Sequence, residues 1–257
     1  MVETYKLYNG SYQLTFDTVK HLYQVEGRVA YGVTNIVGVI DKPALRYWAV
    51  NQAIENLKLN LPVGKPLDEV EISRLLESAK KAHTETAGKA ADIGTMIHEW
   101  VESCIKKLVA GEKPPKRPVN KEMNQAVSGF AKWVKENKVK FLLSERKVYS
   151  VAYNYAGTLD VEAVINGRPA IIDVKTSNGI WPEYGLQVAA YENARCEETG
   201  DVYDTYVLRL SKTNGYEPFE VKKYDASETR RNFKAFLACL ELYSWKMANK
   251  RSELLAK

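Results

Sequence analysis

Gly157-Thr158-Leu159-Asp160, followed after a turn by Ile171-Ile172-Asp173-Val174-Lys175, decides how the rest of the chain is read. Both stretches are apolar and β-branched, and Asn166-Gly167 between them is a hairpin-turn pair, so they predict neighbouring strands. Residues i and i+2 of a strand point to the same face. Asp173 and Lys175 therefore project together, while Ile172 and Val174 project the other way into a core. Asp160, one strand over, brings a second carboxylate towards that pair.

Working outward, Phe141 to Val151 predicts a strand, Tyr155 to Ile165 its partner, and Ala170 to Thr176 the next. Pro182 and Glu183 open a helix that runs to about Glu198 and stops at Gly200. Asp204 to Leu210 and Pro218 to Val221 are expected as a hairpin around Asn214-Gly215. A C-terminal helix follows, with Asp225-Ala226-Ser227-Glu228 as a capping box. Before the centre, helices are expected from Pro43, over Glu69 to Ala82, over Ala87 to Ala110 and over Asn120 to Asn137. The first forty residues look like β-structure: Tyr12, Leu14 and Phe16 alternate, His21 to Val25 completes a hairpin, and Val33 to Val37 is a further β-branched run. Strands with helical crossovers and flanking helices predict an α/β fold.

The 257 residues suffice for one large domain. Hydrophobic residues make up 45% and charged residues 27%, which suits a globular protein and argues against extensive disorder. The N-terminus carries no signal-peptide pattern and no apolar run reaches the ~20 residues of a membrane helix, so the expected location is the cytoplasm, without a membrane partner. Three scattered cysteines, Cys104, Cys196 and Cys239, each in an apolar helical context, predict buried free thiols and exclude a four-cysteine zinc or iron–sulfur site. The net charge of +5 permits a nucleic-acid partner without requiring one.

Two carboxylates and a lysine brought together suit a divalent cation and a nucleophilic water, hence metal-assisted phosphodiester hydrolysis. Hard carboxylate oxygens favour Mg²⁺ or Mn²⁺, and a lysine beside the ion is expected to have a lowered pKa. His98, in Gly94-Thr95-Met96-Ile97-His98 on the long helix, is a candidate ligand. Gln187 and Tyr191 share a face of the helix after the strand and reach back towards the same mouth. Gly157 would allow close backbone approach at the strand entry. Thr176 and Ser177 are candidate hydroxyl donors to a phosphate, and Trp181 and Tyr184 candidate platforms for unpaired bases.

The pattern Gly-Thr-x-x-His, Gly-x-x-Asp, Asp-x-Lys-Thr and Gln-x-x-x-Tyr, in order from Gly94 to Tyr191, resembles the RecB-like branch of the PD-(D/E)XK nuclease superfamily. The layout of the flanks resembles phage-encoded and mitochondrial single-strand exonucleases of that branch. The resemblance implies a restriction-endonuclease-like core, a central mixed β-sheet flanked by helices, with an N-terminal β-hairpin and helical elaboration. It implies a single nuclease domain over 1–257, with 1–82 the elaboration, 83–200 the core motifs and 201–257 the C-terminal hairpin and helix. Asp160, Asp173, His98 and the Val174 carbonyl would hold Mg²⁺ or Mn²⁺. Lys175 would orient the attacking water, and Gln187 and Tyr191 would steady the lysine and contact DNA. Glu145 falls on the preceding strand, where relatives often carry an acidic residue.

The resulting expectation is a metal-dependent deoxyribonuclease, foremost an exonuclease on single-stranded ends in recombination, repair or phage DNA processing. A structure-specific endonuclease and a non-catalytic DNA-binding or recombination accessory protein are the alternatives. The cysteines cannot build the iron–sulfur cluster of some relatives. No helicase motor motif is present, so a helicase, like a recombination or polymerase partner, would be a separate chain.

Overall fold

The computed structural model describes residues 1–212 and 217–255. The expected Asn214-Gly215 turn lies outside the described residues. The fold is α/β: a mixed sheet with helices packed against it, built in the order β1 (Val2–Leu7), β2 (Tyr12–Asp17), β3 (Leu22–Val25), β4 (Arg28–Gly32), α1 (Val33–Val37), α2 (Pro43–Asn60), α3 (Glu69–Val109), α4 (Lys121–Glu136), β5 (Lys140–Ser150), β6 (Tyr155–Ile165), β7 (Arg168–Lys175), α5 (Pro182–Thr199), β8 (Asp204–Leu210), β9 (Phe219–Tyr224) and α6 (Ala226–Leu255). No helix among the described residues is long and apolar enough to cross a membrane.

Two compact units divide the chain, one of residues 1–40 with 97–257 and one of residues 41–96. The smaller unit is helical, with Asn56 bonded to Ser78 at 3.2 Å and Gln52 to Thr86 at 3.2 Å. It leaves Leu45, Tyr47, Val50 and Ile54 exposed.

In the larger unit the β6–β7 hairpin forms as expected, with Asn166 and Gly167 at φ 50° and 80°, the left-handed pair a two-residue turn requires. The β7–β8 pairing is parallel, which the intervening α5 crossover makes possible. Ile171, Leu159, Val207 and Val148 are buried with α5 residues Leu186, Val188 and Ala190, and with Phe236 of α6, in one core. Asp225 caps α6: its side chain accepts from the Ser227 and Glu228 amides at 2.7 and 2.9 Å, and Glu228 reaches back to the Asp225 amide. Cys104 is buried, whereas Cys196 and Cys239 are only partly covered, and all three thiols are free.

Two expectations need correction. Val33–Val37 is a short helix, because Val33, Ile36 and Val37 sit at helical spacing and bury one face in the α5–α6 core. The two helices expected between Glu69 and Ala110 are one helix, and Ala87-Gly88 does not interrupt it. The expected N-terminal hairpin forms, and two further strands extend it into a four-stranded antiparallel meander, β1 to β4, around Leu7, Leu14, Val25 and Ala30.

The meander joins the centre through two parallel residue pairs, Tyr31 with Tyr155 and Gly32 with Ala156. β5 lies along β6 from end to end. A strand has only two edges, so β4 and β7 share the other one: β4 at Tyr155 and Ala156, β7 from Val161 onward. Gly157 to Asp160 have no strand partner on that edge. Beyond Val161 and Ile172 the two strands part, and the sheet opens where the motif residues lie.

Candidate active site

Asp160 closes part of this opening. Its Oδ2 accepts a hydrogen bond from the Val174 amide at 2.7 Å, replacing the lost ladder partner. N–H and C=O of one strand residue leave on the same edge, so the Val174 carbonyl faces the gap as well. Asp173 and Lys175 share a face, as their spacing dictates. Lys175 Nζ donates to Asp173 Oδ1 at 3.0 Å and lies 2.8 Å from Oδ2. The second contact is an ion pair without hydrogen-bond geometry: Oδ2 is buried and takes no hydrogen bond.

Asp173 is 2% exposed. Burial pushes its carboxyl up to about 6, against the pull of the Lys175 ammonium and with a further push from Asp160. Burial likewise raises Asp160, opposed by Lys175 and the Val174 amide. For Lys175 burial works downward, but Asp173 and Asp160 outweigh it and hold the ammonium above its ordinary value. Between these two carboxylates Lys175 is held as a cation; the expectation of a lowered lysine pKa concerns the ion-bound site.

The ring of Tyr184 lies 5.1 Å from Lys175 Nζ, a cation–π contact from the first turn of α5. That occupies the aromatic face expected to stack on a base. Trp181, just before α5, stays 48% exposed. The Ser177 hydroxyl donates to the Gly179 carbonyl at 2.8 Å and thus serves its own turn, while Thr176 is half-buried at the end of β7.

His98 is partly buried on α3; burial and Lys175 keep its imidazole below the ordinary value and neutral, against the nearby Asp173. Among the described residues, no three acidic, histidine or cysteine side chains close into a ready-made metal cluster. His98, Asp160 and Asp173 share a neighbourhood, with Lys175 seated on Asp173 in place of an ion. The donors nevertheless fit a divalent cation. A buried carboxylate oxygen without a hydrogen bond, a second carboxylate, a neutral imidazole and a backbone carbonyl facing the gap are acceptors that ions of this class use.

Gln187 does not reach the lysine. It is buried, and its Nε2 donates to the Thr34 hydroxyl at 3.2 Å. Thr34 also bonds to Tyr191, whose phenol burial and the two aspartates keep neutral. Tyr191 lies so close to β6 that a Cβ on Gly157 would sit 2.7 Å from its ring. Gly157 is therefore needed for Tyr191. Tyr23, at the far side of the meander, bonds Thr158 Oγ1 at 2.9 Å. Thr34 and Tyr23 carry no local pattern, and only the long-range pairing of β4 with β6 brings them here.

Glu145 stands across from Asp160, between the pairs Ser144–Val161 and Arg146–Leu159, with φ at 53°. This left-handed conformation is uncommon for a non-glycine residue and marks a strained point in β5. Burial, then Asp160 and Glu102, raise its carboxyl to about 7. Glu145 thus has two acidic neighbours, Asp160 and Glu102, with Lys147 and Lys106 offsetting them in part.

No protein-family model matches the chain, and no curated protein does. Solved structures resemble it at a distance. An alkaline exonuclease of Laribacter hongkongensis aligns at 14% identity and TM-score 0.32, over 58% of this chain and 84% of its own. The complex of that enzyme with dAMP aligns at 15% and 0.30, over 58% and 84%. An inferred exonuclease of Eubacterium rectale aligns at 11% and 0.42, over 84% and 81%. At these values the likeness concerns the course of the chain alone.

Proposed function

We propose that the protein is a divalent-metal-dependent DNA nuclease acting at the β6–β7 gap, in first place an exonuclease on single-stranded ends. The observation that carries the proposal is Asp173 Oδ2: a buried carboxylate oxygen with no hydrogen bond, beside a second carboxylate and a fixed cation, at the opening between β6 and β7. A purely structural ion pair gains nothing from leaving a buried oxygen unsatisfied.

Asp160, Asp173, the Val174 carbonyl and His98 would hold Mg²⁺ or Mn²⁺, which when bound neutralises the phosphodiester and lowers the pKa of a coordinated water. Lys175 stays protonated, so its part is to fix the water or a phosphate oxygen by charge and hydrogen bonding. Tyr184 and the Asp173 carboxylate keep that ammonium in place. Tyr191 and Gln187, through Thr34, hold α1 against α5 and act as positioning residues. The preference for strand ends is supported by the motif resemblance.

The test offers linear and circular single-stranded DNA to the purified protein in Mg²⁺, Mn²⁺ or EDTA, beside Lys175→Ala. Metal-dependent loss of the linear strand only, abolished in the variant, is the expected result. Cleavage of the circle would replace the exonuclease with an endonuclease. Survival of both substrates would reject catalysis in favour of a binding or accessory role.

A further inference from the structure

The opening at Gly157 and Thr158 continues away from the carboxylates. A cavity of about 230 Å³ lies beside them, walled by Phe16 and Tyr23 of the meander, by Thr34 of α1 and by Tyr191. His21, Gly32 and Asn35 line this cavity and also a second one of about 360 Å³. The second passes Tyr31 and ends at Tyr243, Met247 and Lys250 of α6. His21, Gly32 and Asn35 stand between the two, so the cavities adjoin in a line from Gly157 and Thr158 to the C-terminal helix.

Its lining is selective. In a chain with 32 acidic residues, no Asp or Glu lines either cavity among the described residues. Aromatic rings, amide and hydroxyl groups and an imidazole line them beside the aliphatic Leu22, Val29, Ala30, Val33 and Met247, with a lysine at the far end. Tyr31 and Tyr243, both half-buried, meet edge to face, with centroids 5.1 Å apart and planes at 78°, and both line the cavity. Flat π-surfaces spaced along an acid-free channel suit a polyanion whose bases are unstacked from a partner strand. In a duplex the base faces are covered by their neighbours and only edges are presented.

We propose that these adjoining cavities form a groove that carries the substrate strand away from the scissile phosphate as single-stranded nucleic acid, with bases against Tyr31 and Tyr243 and a phosphate near Lys250. The proposal rests on the nuclease reading above and adds where the strand runs and why it must be unpaired. The meander and α6 are then the specificity elements of the protein.

The test is binding of fluorescent single-stranded DNA, about 4 and about 16 nucleotides long, to the whole chain in EDTA, where no hydrolysis consumes the probe. The long strand is expected to bind more tightly than the short one. Tyr243→Ala should weaken the long strand by about ten-fold and leave the short one unchanged. Tyr243→Phe should behave as wild type, and Lys250→Gln should flatten the salt dependence. A structural defect would not discriminate by length. Equal binding of both lengths by wild type, Tyr243→Ala and Lys250→Gln would overturn the groove, as would blunt duplex bound as tightly as the long strand. The two readings fail separately. Metal-dependent cleavage by wild type with groove variants that bind normally removes the groove alone, whereas groove-dependent binding without cleavage removes the nuclease alone.

Discussion

Glu162 and Asp173 are buried carboxylates on adjoining strands, each beside a cation, and they are finished in opposite ways. Glu162 sits where β6 is laddered on both edges. Arg195 grips both its oxygens, at 2.9 and 3.2 Å, and passes a further bond to Glu198 at 2.6 Å. Asp173 sits where the same strands have parted, and its lysine satisfies one oxygen and leaves the other without a hydrogen bond. Both oxygens of Asp173 are charge-paired with Lys175, but only one accepts a hydrogen bond, which leaves the other able to take a further ligand, whereas both oxygens of Glu162 are engaged. The difference separates a structural pair from a candidate catalytic one within a single hairpin.

The largest effect that sharpens this contrast is on rate. Asp173→Asn should lower metal-dependent cleavage by at least about a thousand-fold, a loss of roughly 4 kcal/mol of transition-state stabilisation, while the thermal midpoint stays level or rises. A midpoint that collapses with the activity would make Asp173 a structural residue like Glu162. The opposite behaviour is expected at the completed pair. Arg195→Met leaves Glu162 and Glu198 facing each other, and chemical denaturation should register a loss of about 3–5 kcal/mol, partly recovered in Glu162→Gln/Arg195→Met.

The pH response tests the same difference without mutating the site. Asp173, raised to about 6, and Glu145, raised to about 7, bind protons more tightly folded than unfolded. Stability of the metal-free protein from these groups is therefore present at low pH and falls as pH rises from the ordinary carboxylate range through 6 to 7. A cation replaces those protons, so Mn²⁺ should raise the melting temperature more at about pH 8 than at about pH 5. A rise independent of pH would show that Mn²⁺ binds elsewhere. The smallest effect is expected at Gly157→Ala. The added methyl meets the Tyr191 ring and should cost about 1–3 kcal/mol, read in the unfolding midpoint, with kcat falling and KM for short strands little changed. An unaltered midpoint would mean that Tyr191 yields freely and does not brace the gap.

Much of this was legible in the chain itself. Asp173-x-Lys175 on an apolar strand fixes its own geometry by the two-residue period, and Asn166-Gly167 announces the hairpin that brings Asp160 alongside. The Asp225 capping box is equally local. The gap is not local: it exists because β4, more than a hundred residues earlier in the chain, occupies the edge of β6 that β7 leaves free. Thr34 and Tyr23 enter the site by the same long-range pairing. Val33–Val37 misleads because β-branched side chains favour strands, while burial at helical spacing decides the outcome. Gln187 shares a helix face with Tyr191 as its spacing predicts, yet its partner is Thr34, which no pattern within α5 could name.

The most direct measurement is Mn²⁺ binding by isothermal titration to wild type and Asp173→Asn, each without DNA. Saturable binding to wild type that is lost or strongly weakened in Asp173→Asn is the predicted result, since the proposed site would hold the ion at this carboxylate. Equal binding by both proteins, or none by wild type, would contradict a metal centre in the β6–β7 gap.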